Sequence, residues 1–184
     1  MPMWSRVPWT GAGQILAMLD GDDAETRTSA VQDPKAYFDG LVADGALERA
    51  IGFLSVALPA REAIQWAWRM LLFTAAPVDD QWRARLREHI ADWLAHPSEG
   101  LRRTIWSIAK ERDESWPEKL LAGAIFFSGG SIGPENGSRI EPPRAIAGKL
   151  AGSAIIAAAH GSGSAAALLR LAVIDGSRIA EGEL

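Results

Sequence analysis

The 184-residue sequence contains no cysteine, which excludes disulfides, thiolate metal sites and a cysteine nucleophile at once. It has only three histidines, and no H-E-x-x-H pair, phosphate-loop lysine or EF-hand spacing occurs anywhere in it. Long apolar runs are missing too. The longest, from Ala145 to Ala159, spans about 15 residues and carries Lys149, short of the ~20 that a bilayer requires. The start, Met1 to Trp9, has Arg6, Pro2 and Pro8 but no apolar stretch of the kind a secretory leader needs. The expectation is a cytoplasmic chain with no membrane partner.

A surplus of one charge is also absent. Lys and Arg number 19 against 23 Asp and Glu, a formal net charge of -4, so nucleic acid is an unlikely partner, since wrapping phosphate takes a concentrated basic excess. The charge is nevertheless uneven. Residues 20–49 are acidic, whereas residues 81–112 are basic, with Arg83, Arg85, Arg87, Arg102, Arg103, Lys110 and Arg112; such a dipole can steer a partner. Apolar residues make up 48% and charged residues 23%, the balance of an ordinary globular domain that buries about 70% of its unfolded surface without metal or cross-links.

What is present is helical punctuation. Asp33-Pro34, Leu58-Pro59, Asp79 or Asp80, Pro97-Ser98 and Ser115-Trp116-Pro117-Glu118 all suit helix starts, the last as a capping box. Apolar residues recur at a period near 3.6 after the first four of these and after Gly45: Tyr37, Phe38 and Leu41; Leu47, Ile51 and Leu54; Ile64, Ala67, Trp68 and Leu71; Trp82, Leu86, Ile90 and Trp93; Leu101, Ile105 and Ile108. The helix from Leu58 to Pro77 is apolar nearly all round, which places it mid-bundle. Residues 128–143 are rich in Gly, Pro, Ser and Asn without period and read as a long ordered loop, a feature that is often functional. A small-residue helix with Gly148 and Gly152 on one face follows, and then a last helix after Gly161-Ser162-Gly163. The reading is all-α: one domain over residues 1–184, a compact bundle of about eight short helices or short solenoid-like helical pairs, with an acidic, less regular segment at 1–30.

Three stretches come near known functional motifs. Gly161-Ser162-Gly163-Ser164-Ala165-Ala166 matches a dinucleotide fingerprint, but no strand precedes it and Asp175 comes too early for a ribose contact. Gly129-Gly130-Ser131-Ile132-Gly133 matches a nucleophile elbow, yet Pro134 to Gly137 cannot open the helix that must follow, and His160 precedes Asp175, the reverse of the hydrolase order. His89 and His96 lie seven apart, about 10.5 Å along a helix, too far for one metal. These readings leave no catalytic, metal or cofactor residues. Arg102, Trp106 and Lys110 recur every four residues and, with Arg103, form a basic-aromatic stripe able to stack a base or hold an acidic helix.

Two segments, Leu58-Pro59-Ala60-Arg61-Glu62-Ala63-Ile64-Gln65-Trp66-Ala67 and Ala124-Ile125-Phe126-Phe127-Ser128-Gly129-Gly130-Ser131-Ile132-Gly133-Pro134 with Pro142-Pro143 beyond, resemble an uncharacterised family of small all-helical bacterial proteins associated with type VI secretion gene neighbourhoods. The resemblance covers Leu58–Phe73 and Glu118–Ile179; Phe127 stands where that family has Trp. It implies helical architecture and a secretion-linked accessory role, with no assigned activity. Glu62, shared with the family, is expected to be buried and tied to a neighbouring segment such as the loop, with Arg69 as its partner.

The functional expectation is a non-enzymatic adaptor that engages another protein through residues 128–143 and adjacent helix faces. One alternative is an anion or small-ligand binder, or an enzyme, using Ser128, Gly129, Gly130 and Ser131 as a cradle. The other is weak nucleic-acid binding through the stripe at 102–110.

Overall fold

A computed structural model describes residues 4–19, 29, 31–74, 80–134 and 136–183. Among them are nine helices and no strand: α1 (Ala12–Leu19), α2 (Pro34–Ala43), α3 (Leu47–Ala57), α4 (Ala60–Leu72), α5 (Gln81–Ala95), α6 (Glu99–Ala109), α7 (Pro117–Phe126), α8 (Ile146–Gly161) and α9 (Ala165–Glu181). Pro77, Asp79 and most of the acidic part of the N-terminal segment lie outside the described residues. Helix α1 went unforeseen, because its eight residues carry no acidic first turn and no basic last turn to stand out from the segment around them.

The local chemistry at the helix starts is as the caps imply. Asp33 accepts from the Ala36 N–H with Pro34 in the first turn, Asp80 accepts from the N–H groups of Trp82 and Arg83, and Ser98 accepts from Leu101 N–H. Each bond satisfies a donor that the helix itself leaves free. The expected capping box at Ser115 does not form. Trp116 caps α7 without a side-chain bond, and the Glu118 carboxylate is used elsewhere, as described below. Between α8 and α9, Gly163 takes φ 73°, a left-handed turn that other residues adopt only at a cost.

Helices α4 and α8 both lie within the bundle, and α8 is the more closely packed. Helix α8 packs against α3, α4, α7 and α9, and α4 against α3, α7, α8 and α9; α4 buries Ala63, Ile64, Trp66, Ala67, Met70 and Leu71 and leaves Leu72 and the neighbouring Phe73 exposed. Small side chains explain the closer packing of α8: a thin helix lets its neighbours' backbones approach its axis. A β-carbon on Gly148 would collide with the Ser55 carbonyl oxygen and stand 2.9 Å from Val56 Cα; one on Gly152 would lie 2.5 Å from Ser55 Oγ. The Ser55 hydroxyl donates to Gly52 O at 2.9 Å, so no polar atom is stranded at this close crossing. Gly176 of α9 likewise makes room for Trp66, whose indole N–H donates to Ala172 O at 3.1 Å. Ile155 and Val173 are both helical and buried.

Candidate functional site

The segment joining α7 to α8 is held down from α6. Arg102 is 4% exposed. Its guanidinium donates to the carbonyls of Phe126 and Ser131, the latter at 2.8 Å, and to both oxygens of Glu99 at 2.7 and 2.8 Å. Arg103 adds donations to Ser131 O at 2.9 Å, Gly133 O at 3.1 Å and Glu99 Oε1 at 2.8 Å. Five donors in a rigid plane can satisfy several carbonyls that leave a helix end, which a lysine could not do. Hydrogen bonds from Arg102, reinforced by Arg103 and opposed by partial burial, hold the Glu99 carboxyl down to about 2. Gly130 has φ 68° and sits so close that a β-carbon there would meet Glu99 Oε2 at 2.8 Å and Arg102 Nη2 at 2.9 Å. Farther along, Ile132 N–H donates to Ile140 O at 2.8 Å. Ser131 Oγ accepts from the N–H groups of Gly133 and Ile140 at 3.2 and 3.1 Å.

The foreseen stripe is therefore divided. Trp106 stacks on Phe126 with centroids 5.0 Å apart and meets Phe127 edge-on at 5.7 Å, Arg102 lies over Phe126, and Lys110 is exposed at the end of α6. The arginines and the aromatic ring are engaged by the protein's own chain, leaving only Lys110 facing outward.

Glu62 is half-buried and makes no ion pair among the described residues; Arg69 reaches Asp175 instead, at 2.6 Å. The expected Glu62–Arg69 tie to the loop is thus corrected. Residues 62 and 69 are seven apart on a straight helix, about 10.5 Å along its axis, whereas Asp175 sits directly across on α9. Desolvation raises the Asp175 pKa above its ordinary value, with Arg69 and Arg178 opposing but not reversing it, and its Oδ2 is buried without a hydrogen-bond partner.

The most buried carboxylate was missed. Glu118, 0% exposed, accepts from Arg83 at 3.0 and 3.1 Å and from Arg87 at 2.7 Å. Arg83 also lies over the Trp116 ring at 4.4 Å, and Arg87 donates to Thr74 Oγ1 at 2.9 Å. This triad ties α5 to α7 and to the end of α4. The four-residue spacing of Arg83 and Arg87 on a helix whose apolar stripe adjoins them was the available signal.

No three His, Asp or Glu residues gather as a metal site among the described residues. Ser131, His160 and Asp175 lie in separate settings: His160 Nε2 is 2.7 Å from Glu48 Oε1, Asp175 is with Arg69, and Ser131 Oγ is held by the two backbone N–H groups. His89 Nδ1 contacts Arg85 O, and His96 caps the end of α5. Ser162 donates to Ala159 O at 2.7 Å, so the fingerprint-like glycines form an interhelical turn. No described helix is long and apolar enough to cross a membrane.

Beside the pinned segment is a cleft of about 460 Å³ lined by Trp9, Val56, Leu58 to Ala60, Phe127 to Gly130, Arg139, Glu141, Pro142, Arg144, Ala147 and Gly148. Its floor is apolar, with Val56, Leu58 and Ala147 buried. On one wall the Arg144 guanidinium lies 4.5 Å over the Trp9 ring, and the Trp9 indole N–H donates to Ala57 O at 3.1 Å. Ser128, Gly129 and Gly130 thus border a cavity, whereas Ser131 lies outside its lining.

An all-helical bundle with a clamped segment and a cleft is the class that these features define. Within it, the chain belongs to a family of unknown function, DUF6931, whose profile matches residues 37–180. No curated protein and no solved structure matches the chain.

Proposed function

We propose that this chain is a non-enzymatic binding protein that engages another protein through residues 128–143 and the cleft beside them. The observation that carries the reading is the clamping of this segment by Arg102 and Arg103. A segment without helix or sheet hydrogen bonds is costly to order, and ordering it in advance lowers the entropy that a partner must overcome on binding. The separate hydrogen-bonding settings of Ser131, His160 and Asp175 favour recognition over acyl transfer. The setting in a bacterial type VI secretion system rests on the resemblance of residues 58–67 and 124–134 to that family, and a cytoplasmic location on the shortness of the apolar runs in the sequence.

A site-specific photocrosslinker at Glu141 on the cleft rim, with a second at exposed Thr104 on α6 as control, tests this in the native cell. The expected result is one discrete protein adduct from position 141 that the control position does not give. Absence of any adduct, or the same adducts from both positions, overturns the reading. A small-molecule ligand is the second reading, favoured by the cleft volume, which lies within the ~300–1,000 Å³ of ordinary ligand sites.

A further inference from the structure

The apolar floor and basic rim of this cleft carry an inference about what enters it. We propose that the cleft captures the C-terminal residue of the partner polypeptide, an apolar side chain with its free carboxylate; this rests on the binding-protein reading above. The exposed Arg144 guanidinium lies over the Trp9 ring at 4.5 Å and has no carboxylate within ion-pair distance among the described residues. An arginine held over an indole face keeps N–H groups available for a carboxylate. Arg139, the other cleft cation, meets Glu141 at 3.4 Å, but both side chains are largely exposed, so that pair is weak and readily exchanged.

The chemistry of the remaining lining narrows the ligand. Beside its polar groups the cleft is lined by buried Val56, Leu58 and Ala147 and by half-buried Trp9, Phe127 and Pro142, so an inorganic anion or a phosphate chain would leave this apolar part unfilled. An apolar side chain fills it. A carboxylate one or two bonds from that side chain then meets Arg144 at the rim, and this pairing of groups is what the last residue of a polypeptide presents. Gly129 has open space where its β-carbon would stand, so an incoming backbone can approach this wall closely. Helix α4 begins at the cleft with Pro59 giving no side-chain cap; its free N–H groups add to the attraction without being needed to define the site.

The test is a titration of the full chain with acetyl-Ala-Leu as free acid and as C-terminal amide, with isocaproate and inorganic phosphate as further probes, followed by amide NMR shifts. The free acid is expected to shift Ser128, Gly129, Gly130 and the Trp9 indole N–H, and to bind at least about tenfold more tightly than the amide. Arg144→Gln should abolish that preference, Arg144→Lys should retain part of it, and Arg170→Gln on the exposed face of α9 should leave it unchanged; thermal melts establish that each variant folds. Equal binding of acid and amide, shifts away from the cleft, or no saturable binding overturns the proposal. So does isocaproate or phosphate binding as well as the peptide acid. If these probes fail while the crosslink at position 141 persists, only the carboxylate inference falls; if the crosslink fails, the binding-protein reading falls with it.

Discussion

Arginine planes decide most of the polar architecture at the scale of single residues. Arg102 and Arg103 satisfy carbonyls of the 126–133 segment, and Arg83 and Arg87 neutralise the fully buried Glu118. A buried charge persists only when such partners replace its water. Asp175 is the incomplete case, with Arg69 at Oδ1 and nothing at Oδ2. A carboxylate whose folded pKa is raised binds its proton more tightly folded than unfolded. Its contribution to stability is therefore best below its unfolded value near 3.8 and falls as pH rises through the raised folded value. Asp175→Asn removes this dependence. Urea midpoints measured from pH 4 to pH 7 should show the variant gaining on the parent as pH rises, and a constant or shrinking difference would refute the account. The sequence showed the arginines and acids but not their pairing. Glu62 was the acid singled out, because it sits on an apolar helix, whereas Glu118 was hidden behind a plausible capping role.

Helix α8 governs packing at the scale of elements, through atoms it lacks. Its two buried glycines, Gly148 and Gly152, each cost about 1 kcal/mol of helix propensity relative to alanine, offset by the approach to Ser55 and Val56 of α3. Alanine at Gly148 should improve the isolated helix yet destabilise the protein. The added methyl meets backbone that cannot rotate away, so overpacking of about 1–3 kcal/mol or more is expected in urea unfolding. Gly161→Ala, where a β-carbon meets nothing within 4 Å, should cost much less. A milder effect at Gly148 than at Gly161 would contradict the close crossing. The helix boundaries were legible in the sequence from Asp33, Asp80, Ser98 and the prolines, since caps are local chemistry. The neighbours of each helix were not: the apolar breadth of α4 pointed to its place among four other helices, whereas nothing local marked α8 as the more closely packed.

For the whole molecule, the bundle and the clamped segment are two regions with different supports. The core runs continuously from Trp4 and Ile15 through Trp66 and Leu86 to Ile179, while the 128–143 segment depends on two guanidiniums and a few turns. Hydrogen exchange should therefore show α8 amides opening only with global unfolding and those of Gly129 to Gly133 opening locally. Replacing Arg102 with Met keeps an apolar stem but strands the Phe126 carbonyl and leaves Ser131 O and Glu99 to Arg103 alone; about 1–3 kcal/mol of stability should be lost. Exchange in the segment should rise before exchange in α8 does. Uniform acceleration everywhere would mean that Arg102 supports the core and not the segment.

The sequence by itself determined that the described chain is helical, that Asp33, Asp80 and Ser98 cap helices, and which stretch escapes helical periodicity, because these follow from interactions between residues a few positions apart. Tertiary structure alone decided that α8 is the most closely packed helix, that Glu118 is fully buried, that Arg102 and Arg103 hydrogen-bond the segment, and that Trp9 and Arg144 meet beside residues 128–130. Those outcomes depend on side chains distant in sequence, whose encounter is set by how the helices fit together and not by any local spacing.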